Sequence, residues 1–163
     1  MEKQASAHDG SHDFDFLVGS WQVQNRRLLK RLEGCDRWES FQATSVCRAI
    51  LGGLGNEDEF LTDHWHGFIG MSLRFFDPMA LKWSIYWVDN NAGIVQPPVV
   101  GAFSGGRGEF YGPDEFGGRP IVVRFIWSEI AASSAHWEQA FSPDDGQSWE
   151  TNWTMNLKRD GEG

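Results

Sequence analysis

The chain has few cysteines and no long apolar run. Its 163 residues include two cysteines, and about ten extended residues at ~3.3 Å each would hold Cys35 and Cys47 some 30 Å apart, too far for a disulfide. No stretch approaches the ~18 apolar residues that a membrane span needs, and no basic segment leads into an apolar run. We therefore expect reduced thiols, a cytoplasmic protein and no membrane partner.

Positive charge is also scarce. The chain carries 14 Lys and Arg against 23 Asp and Glu, a formal net charge of -9. Phosphate backbones would be repelled by such a surface, so nucleic acid is a poor partner.

Signatures of common catalytic chemistry are missing as well. The sequence has no Gly-x-Ser-x-Gly elbow, no Cys-x-x-Cys pair and no dinucleotide fingerprint, and the glycine-rich stretch at 52–56 lacks the lysine of a phosphate loop. Nucleophilic and nucleotide chemistry are disfavoured, and we expect no cofactor.

Aromatic residues and glycines are plentiful. Aromatics make up 14% of the chain, with 9 Trp and 12 Phe, beside 19 Gly, a combination typical of strands joined by tight turns. The predicted strands are Ser20 to Leu29, Arg37 to Cys47, Glu57 to Leu61, Gly67 to Phe76, Leu81 to Val88, Val99 to Phe103, Gly108 to Tyr111, Ile121 to Ser128, Ala135 to Phe141 and Trp149 to Lys158. No amphipathic helix lies between them, so the fold class is all-β and antiparallel, a sandwich or a barrel.

The ends of the chain are predicted to lie outside this domain. Residues 1–12 form a polar tail, 13–159 a single domain and 160–163 a short C-terminal tail. Asp13 to Val18 is predicted as one helical turn that Asp13 caps, with Phe14 and Leu17 on one face.

Several motifs together indicate a family. Phe16-Leu17-Val18-Gly19-Ser20-Trp21 has the form Phe-x-x-Gly-x-Trp, which resembles the opening of lipocalin-like barrels. The wider pattern comprises Leu51-Gly52-Gly53-Leu54-Gly55-Asn56, Leu73-Arg74-Phe75-Phe76-Asp77-Pro78, Trp83-Ser84-Ile85-Tyr86-Trp87, Pro98-Val99-Val100-Gly101, Arg124-Phe125-Ile126-Trp127 and Trp137-Glu138-Gln139-Ala140-Phe141-Ser142. From Phe14 to Arg159 the chain is similar to an uncharacterised bacterial calycin-like family. The resemblance implies one closed antiparallel lipocalin-like barrel of about ten strands, with Trp21 closing the floor, but no function. The stretch Thr62 to His66 departs from that pattern.

Alternation on the last two strands predicts an aromatic wall. The inward residues of the two strands are predicted to be Ala135, Trp137, Gln139 and Phe141, and Trp149, Thr151, Trp153, Met155 and Leu157. Trp137, Gln139 and Trp153 are therefore candidate ligand contacts, or else plain core.

The strand from Ile121 to Trp127 is apolar on both faces apart from Arg124, so its outer face is expected to be covered by the N-terminal segment or by a second copy in a homodimer.

Two arginines lie among apolar residues, Arg74 in Leu-Arg-Phe and Arg124 in Val-Arg-Phe. A guanidinium in a cavity could hold a ligand carboxylate, whereas the alternatives are an ion pair or a side chain that extends to the surface. Strict alternation places both opposite the most apolar face of their strands. Tyr86 and Glu138 complete the set of candidate acids and bases.

The remaining motifs favour structural interpretations. His64 and His66 share a face but have no third ligand, and His136 points outward if Trp137 points inward, so neither a metal site nor a haem site is expected. Residues 142–149 match a single Asp-box, Ser-x-Asp-x-Gly-x-x-Trp. One copy predicts a hairpin turn rather than a glycosidase propeller.

The function that the sequence favours is binding of a small hydrophobic, aromatic or partly anionic molecule in a barrel cavity. One alternative is an isomerase, cyclase or hydrolase on the same barrel, using Tyr86, Glu138, Arg74 or Arg124; an inward ionisable residue beside an arginine would favour it. The other is a homodimeric interaction module, which a cavity too small for a ligand would favour.

Overall fold

The computed structural model, described for residues 9–161, is a closed barrel of ten antiparallel strands. The strands are β1 (Gly19–Leu28), β2 (Trp38–Ile50), β3 (Gly55–Thr62), β4 (Phe68–Asp77), β5 (Lys82–Asp89), β6 (Val99–Ser104), β7 (Arg107–Phe116), β8 (Arg119–Ser128), β9 (Ser134–Ser142) and β10 (Glu150–Arg159). Each strand pairs with the next along the chain, and β10 pairs with β1 to close the barrel. The predicted all-β barrel of about ten strands is confirmed.

Strand β7 is the element whose predicted limits are furthest from the observed ones. The predicted strand ended at Tyr111, yet the observed strand continues through Gly112 and Pro113 to Phe116 in register with β8. The ladder to β6 does end at Tyr111. A Cβ atom on Gly112 would lie 2.1 Å from the Pro98 carbonyl oxygen, so glycine here lets the coil before β6 cross close to β7.

A short 3-10 turn, Asp15–Leu17, closes one end of the barrel. Phe14, the N-cap residue, is fully buried, with its ring 5.0 Å from that of Trp83 and 4.8 Å from that of Phe103. Trp21 donates from Nε1 to the Leu17 carbonyl oxygen at 2.8 Å. We call this end the floor. The predicted cap at Asp13 is wrong, because the N-cap residue of this turn is Phe14 and no side chain caps it.

Arg159, at the end of β10, attaches the floor to the barrel. Its guanidinium lies 4.3 Å from the Trp21 ring centroid and donates to the carbonyl oxygens of Val18 and Phe16 at 2.7 and 2.5 Å. The first and last parts of the described chain are thus held together by one side chain, which contributes both hydrogen bonds and a cation–π contact.

The predicted tails overlap the barrel. The Gly10 carbonyl oxygen accepts a hydrogen bond from Trp83 Nε1 at 2.9 Å, and the Asp160 N–H donates to the Ser20 carbonyl oxygen at 2.8 Å. The rest of the predicted tails, residues 1–8 and 162–163, lies outside the described residues. No helix in residues 9–161 is long and apolar enough to cross a membrane.

A β-bulge in β10 corrects the alternation predicted for that strand. Thr151 pairs with Ala140 and Trp153 with Gln139, so Asn152 is an extra residue. The bulge reverses the side-chain direction. Trp153, Met155 and Leu157 face the interior as predicted, whereas Thr151 and Trp149 do not; Trp149 lies outside.

Strand β8 places its more apolar face inside, with Val123, Phe125 and Trp127 on the cavity. On its outer face, the Arg124 guanidinium lies 4.4 Å from the Trp149 ring centroid. The described part of the N-terminal segment, residues 9–18, packs in the barrel end rather than over this strand, and residues 1–8 lie outside the described residues. Cover by the N-terminal segment stays a prediction. The homodimer stays a prediction.

Candidate ligand-binding cavity

A cavity of about 160 Å³ occupies the barrel interior above the floor. Its walls come from all ten strands, from the 3-10 turn and from the coil before β6. Two parts of the wall, one aromatic and one polar, differ sharply in chemistry. The lining includes Trp21, Ser45, Cys47, Asp58, Phe60, Ser72, Arg74, Trp87, Gln96, Pro97, Asp114, Phe125, Trp127, Trp137, Gln139 and Trp153.

The aromatic wall consists of Phe125, Trp127, Trp137 and Trp153, from β8, β9 and β10. Trp137 and Trp153 meet edge to face with centroids 5.9 Å apart, and Phe125 approaches Trp137 at 5.1 Å. Such edge-to-face contacts hold each ring in a defined orientation. A flat apolar molecule would therefore meet a preformed surface here.

Buried amides support this wall from behind. Trp153 donates from Nε1 to Asn25 Oδ1 at 2.9 Å, and Asn25 is fully buried. Gln139 donates from Nε2 to Asn152 Oδ1 at 2.8 Å. The bulge residue Asn152 thus fixes the Gln139 side chain at the cavity surface, while Asn152 Nδ2 has no hydrogen-bond acceptor among the described residues.

The polar wall lies on β2, β3 and β4 and consists of Ser45, Cys47, Asp58, Ser72 and Arg74. The strand register places Cys47 beside Asp58 and Asp58 beside Ser72. An Arg74 Nη2 to Asp58 Oδ2 distance of 2.7 Å defines a buried ion pair, with the two side chains only 5% and 10% exposed.

Arg74 connects the polar wall to the floor. It donates from Nη1 to Asn56 Oδ1 at 3.0 Å, and its guanidinium lies 5.4 Å from the Phe14 ring centroid and 5.8 Å from that of Trp127. Its Nε–H has no acceptor among the described residues. A buried N–H without an acceptor is uncommon and costly, so Arg74 retains one hydrogen-bond donor that the described residues do not satisfy.

Cys47 is present as a neutral thiol. Burial raises its pKa to about 12, an effect that the nearby Arg74 only partly offsets. A thiol with so high a pKa is a poor nucleophile at neutral pH. Cys47 therefore contributes a small, weakly polar surface to the cavity.

Trp65 covers the end of the barrel opposite the floor. Its ring lies 5.8 Å from that of Trp153, and the Arg27 guanidinium is 5.1 Å from both ring centroids. Burial, reinforced by the neighbouring Arg31, lowers the pKa of Arg27 to about 10, so the group is still charged at neutral pH. The stretch Thr62 to His66 thus supplies an aromatic cover through Trp65.

Of the two histidines in that stretch, His64 packs in the same cover. His64 stacks on Phe41 with centroids 4.5 Å apart, and its Nε2 lies 2.9 Å from Glu39 Oε2. His66 occupies the turn with a positive φ of 37°. The described residues include no group of three or more His, Cys, Asp or Glu side chains that could hold a metal ion.

One side of the cavity is walled by coil. Strand β5 pairs with β6 only over Trp83 to Ile85. Beyond that point the chain between the strands runs alongside β5, and Gln96 N–H donates to the Trp87 carbonyl oxygen at 2.8 Å. Gln96 and Pro97 line the cavity here together with Asp114 of β7.

Four of the six predicted ligand contacts line the cavity, namely Trp137, Gln139, Trp153 and Arg74. Arg124 and Tyr86 do not. Arg124 lies on the outer face against Trp149, and Tyr86 alternates with the inward Ile85 and packs on Phe75 at 6.1 Å.

Two further candidates also lie on the outer face. His136 and Glu138 alternate with the inward Trp137, and His136 Nε2 is 3.3 Å from Glu138 Oε2. The predicted catalytic set of Tyr86, Glu138 and Arg124 is therefore not brought together around the cavity, and of the proposed acids and bases only Arg74 faces it.

The Asp-box residues form the hairpin turn between β9 and β10. Asp144 Oδ1 accepts hydrogen bonds from Ser142 Oγ and from the Ser148 N–H, both at 2.8 Å. These bonds, those from Ser148 first, lower the Asp144 pKa. The motif stabilises a turn, as predicted.

Sequence reasoning missed the polar wall apart from Arg74. On β3, Asn56, Asp58 and Phe60 alternate with Glu57, Glu59 and Leu61, so each face carries both an acidic and an apolar residue. Only the pairing of Asp58 with Cys47 and Ser72 reveals which carboxylate faces inward.

Comparison with known proteins gives no family: no protein-family model and no curated protein matches the chain. The function of the cavity has to be inferred from its own geometry.

Proposed function

We propose that the protein is a lipocalin-like binding protein that holds a small aromatic molecule in the barrel cavity. The observation that carries the proposal is an interior space of about 160 Å³ between a tryptophan-rich wall and a polar one. A cavity of roughly 150 Å³ accommodates benzene, and pockets for drug-sized ligands begin near 300 Å³. The occupant is therefore a single aromatic ring with a small substituent.

Buried polar groups support a ligand over a filled core. Arg74, Ser45 and Ser72 line the cavity, and Arg74 Nε is buried without an acceptor among the described residues. A barrel built only for stability gains nothing from such groups. The alternative function, a homodimeric interaction module with a filled barrel, fits the structure less well, because the cavity is large enough for one aromatic ring.

Tryptophan fluorescence tests the proposal directly. Toluene, benzyl alcohol and benzamide are each titrated into the protein, while native mass spectrometry of freshly purified material looks for a retained small molecule. At least one probe should quench the fluorescence and raise the melting temperature, because Trp137 and Trp153 would contact it. If none does so at millimolar concentration, the binding function is wrong.

A cavity-filling variant provides the control. Ser72→Leu places extra methyl groups in the cavity and should abolish the response to every probe. Ser84→Leu, on the neighbouring strand at an outward position that alternates with inward Trp83 and Ile85, should leave the response unchanged. Equal responses in the two variants would place the probe elsewhere.

The Arg74–Asp58 pair supports one second candidate, an enzyme that exchanges a proton next to a carbonyl group. Asp58 would remove a proton from the α carbon and return it, while Arg74 stabilises the enolate oxygen. Acetophenone incubated with the protein in D₂O tests this by proton NMR. Exchange of its methyl protons that is absent in Asp58→Asn would support an enzyme; no acceleration would leave binding alone.

A further inference from the structure

We infer that the cavity selects an electrically neutral one-ring aromatic molecule whose head group both donates and accepts hydrogen bonds, such as a carboxamide or an alcohol. This inference rests on the proposed binding function and adds the chemistry of the ligand. It departs from the partly anionic ligand that the sequence favoured.

The first step concerns charge. Arg74 is already neutralised by Asp58, with the Nη2 to Oδ2 distance at 2.7 Å and both side chains at least nine-tenths buried. A ligand carboxylate would add a second negative charge around one guanidinium, and a ligand cation would add a second positive charge around one carboxylate. Either leaves an uncompensated charge in a desolvated space, which is costly.

The other charged residue of the lining acts in the same direction against anions. Asp114 lines the cavity beside the coil residues Gln96 and Pro97. The lining thus carries two carboxylates and one guanidinium. An anion that approaches from this side would meet a like charge before it reached Arg74.

The second step concerns hydrogen bonds. The Arg74 Nε–H is buried without an acceptor among the described residues. The Asp58 carboxylate accepts from Arg74 through Oδ2, and a carboxylate has about four acceptor sites. Because Arg74 and Asp58 both line the cavity, a head group with one acceptor and one donor can bond to both members of the pair without displacing either.

The third step concerns the ring. The aromatic wall lies across the cavity from the polar wall, since β8 to β10 and β2 to β4 are separate arcs of the closed barrel. The volume of about 160 Å³ leaves room for one ring between them. A ring packed on Trp137 and Trp153 would direct its substituent toward the ion pair.

Three molecules of nearly identical shape test the inference: benzamide, benzoate and benzamidine, which at pH 7 are neutral, anionic and cationic. Toluene, which has the same ring but no polar head group, tests whether the head group is needed for binding. Calorimetric titration of the wild-type protein should show benzamide binding at least about tenfold more tightly than each of the other three, because a buried charge or an unmet hydrogen bond costs that much or more.

The outcomes separate this inference from the proposed function. If benzoate or benzamidine binds as tightly as benzamide, the neutral-ligand inference is wrong although the cavity binds aromatics. If toluene matches benzamide, the head-group contact is wrong. If no molecule binds at all, the proposed function fails and this inference with it.

A charge variant reverses the selectivity. Asp58→Asn leaves Arg74 with a positive charge that no neighbour compensates, so the ratio of benzoate to benzamide affinity should rise at least about tenfold. Glu59→Gln, one residue along β3 on the exposed face, is the matched control and should leave the ratio unchanged. An unchanged ratio in a folded Asp58→Asn variant would overturn the inference; if that variant fails to fold, the wild-type series decides.

Discussion

The aromatic wall and the polar wall enclose the same cavity but are built in different ways. Large rings on β8 to β10 contact one another and contribute buried apolar area, which stabilises the barrel directly. On β2 to β4, short side chains surround a buried ion pair. Because a buried ion pair is often no better for stability than apolar residues of the same size, the polar wall fits the proposed binding function better than a purely structural role.

Breaking the ion pair should have the largest effect. Arg74→Met removes the partner of a carboxylate whose side chain is only 10% exposed and should lower the free energy of unfolding by about 3 to 5 kcal/mol. Urea unfolding followed by tryptophan fluorescence measures the loss.

The double variant Arg74→Met, Asp58→Leu sharpens the comparison of the walls. It turns the polar wall apolar, and most of the stability lost in the single variant should return, because no charge is left buried. If the double variant were as unstable as the single one, the pair would be a structural element and the functional interpretation of the polar wall would lose its basis.

Disrupting the aromatic wall should weaken binding by an intermediate amount. Trp137→Ala removes a ring at the cavity surface and should reduce the affinity for benzamide by about 1 to 3 kcal/mol, the scale of a lost buried aromatic contact. Calorimetry of the wild type and the variant gives the difference.

Trp149→Ala is the matched control, since Trp149 lies outside the barrel against Arg124 and Tyr111. Its benzamide affinity should equal that of the wild type. Equal loss in both tryptophan variants would mean that the fluorescence and binding changes report general destabilisation.

The aromatic wall could be predicted from the sequence because period-two alternation holds along β9. Trp137 and Gln139 both line the cavity as that pattern requires. The pattern failed at Trp149 because the bulge at Asn152 inserts one residue and reverses the side-chain direction. A bulge depends on the partner strand, so alternation within one strand cannot reveal it.

The polar wall could not be predicted because β3 carries an acidic and an apolar residue on each face and β4 is apolar on the outside. On β4 the residues that alternate with Arg74 are Ile69, Met71, Leu73 and Phe75, and Ile69 is 41% exposed. Arg74 lies opposite the more apolar face of β4, as predicted, and that apolar face is the outer one. On β8 the more apolar face lies inside the barrel, so Arg124, on the opposite face, lies outside. The similar segments Leu73-Arg74-Phe75 and Val123-Arg124-Phe125 thus direct their arginines to opposite faces of the barrel. Strand pairing decides which face each arginine occupies.

The polar wall should also make the free energy of unfolding depend on pH. Burial raises the Cys47 pKa from 9.0 to about 12. Between these values the unfolded chain loses the proton while the folded protein keeps it, so unfolding becomes more favourable as the pH rises. The effect should be absent below pH 9 and reach about 1 to 2 kcal/mol at pH 10.

Cys47→Ala isolates this contribution. Other groups that titrate near pH 10 are present in both proteins, so the difference in unfolding free energy between wild type and variant is followed from pH 7 to pH 10. As the pH rises to 10, the free energy of unfolding should fall further in the wild type than in the Cys47→Ala variant. Parallel curves would show that the thiol is accessible to water in the folded protein.

The smallest effect is expected for Arg124. This arginine lies on the outer face of the barrel, whereas Arg74 lies on the inner face, so the two residues compare the two faces. The Arg124 guanidinium stacks on Trp149 at 4.4 Å, on the outer surface, where a cation–π contact is worth about 0.5 to 1 kcal/mol. Arg124→Met should therefore lower the free energy of unfolding by no more than that amount and leave benzamide affinity unchanged, whereas the same substitution at Arg74 affects both. Urea unfolding and calorimetry of the two variants, run in parallel, provide the measurement. A loss at Arg124 as large as that at Arg74 would mean that the outer face of β8 is desolvated by something other than Trp149, and the predicted homodimer would then be tested by measuring the mass of both proteins in solution.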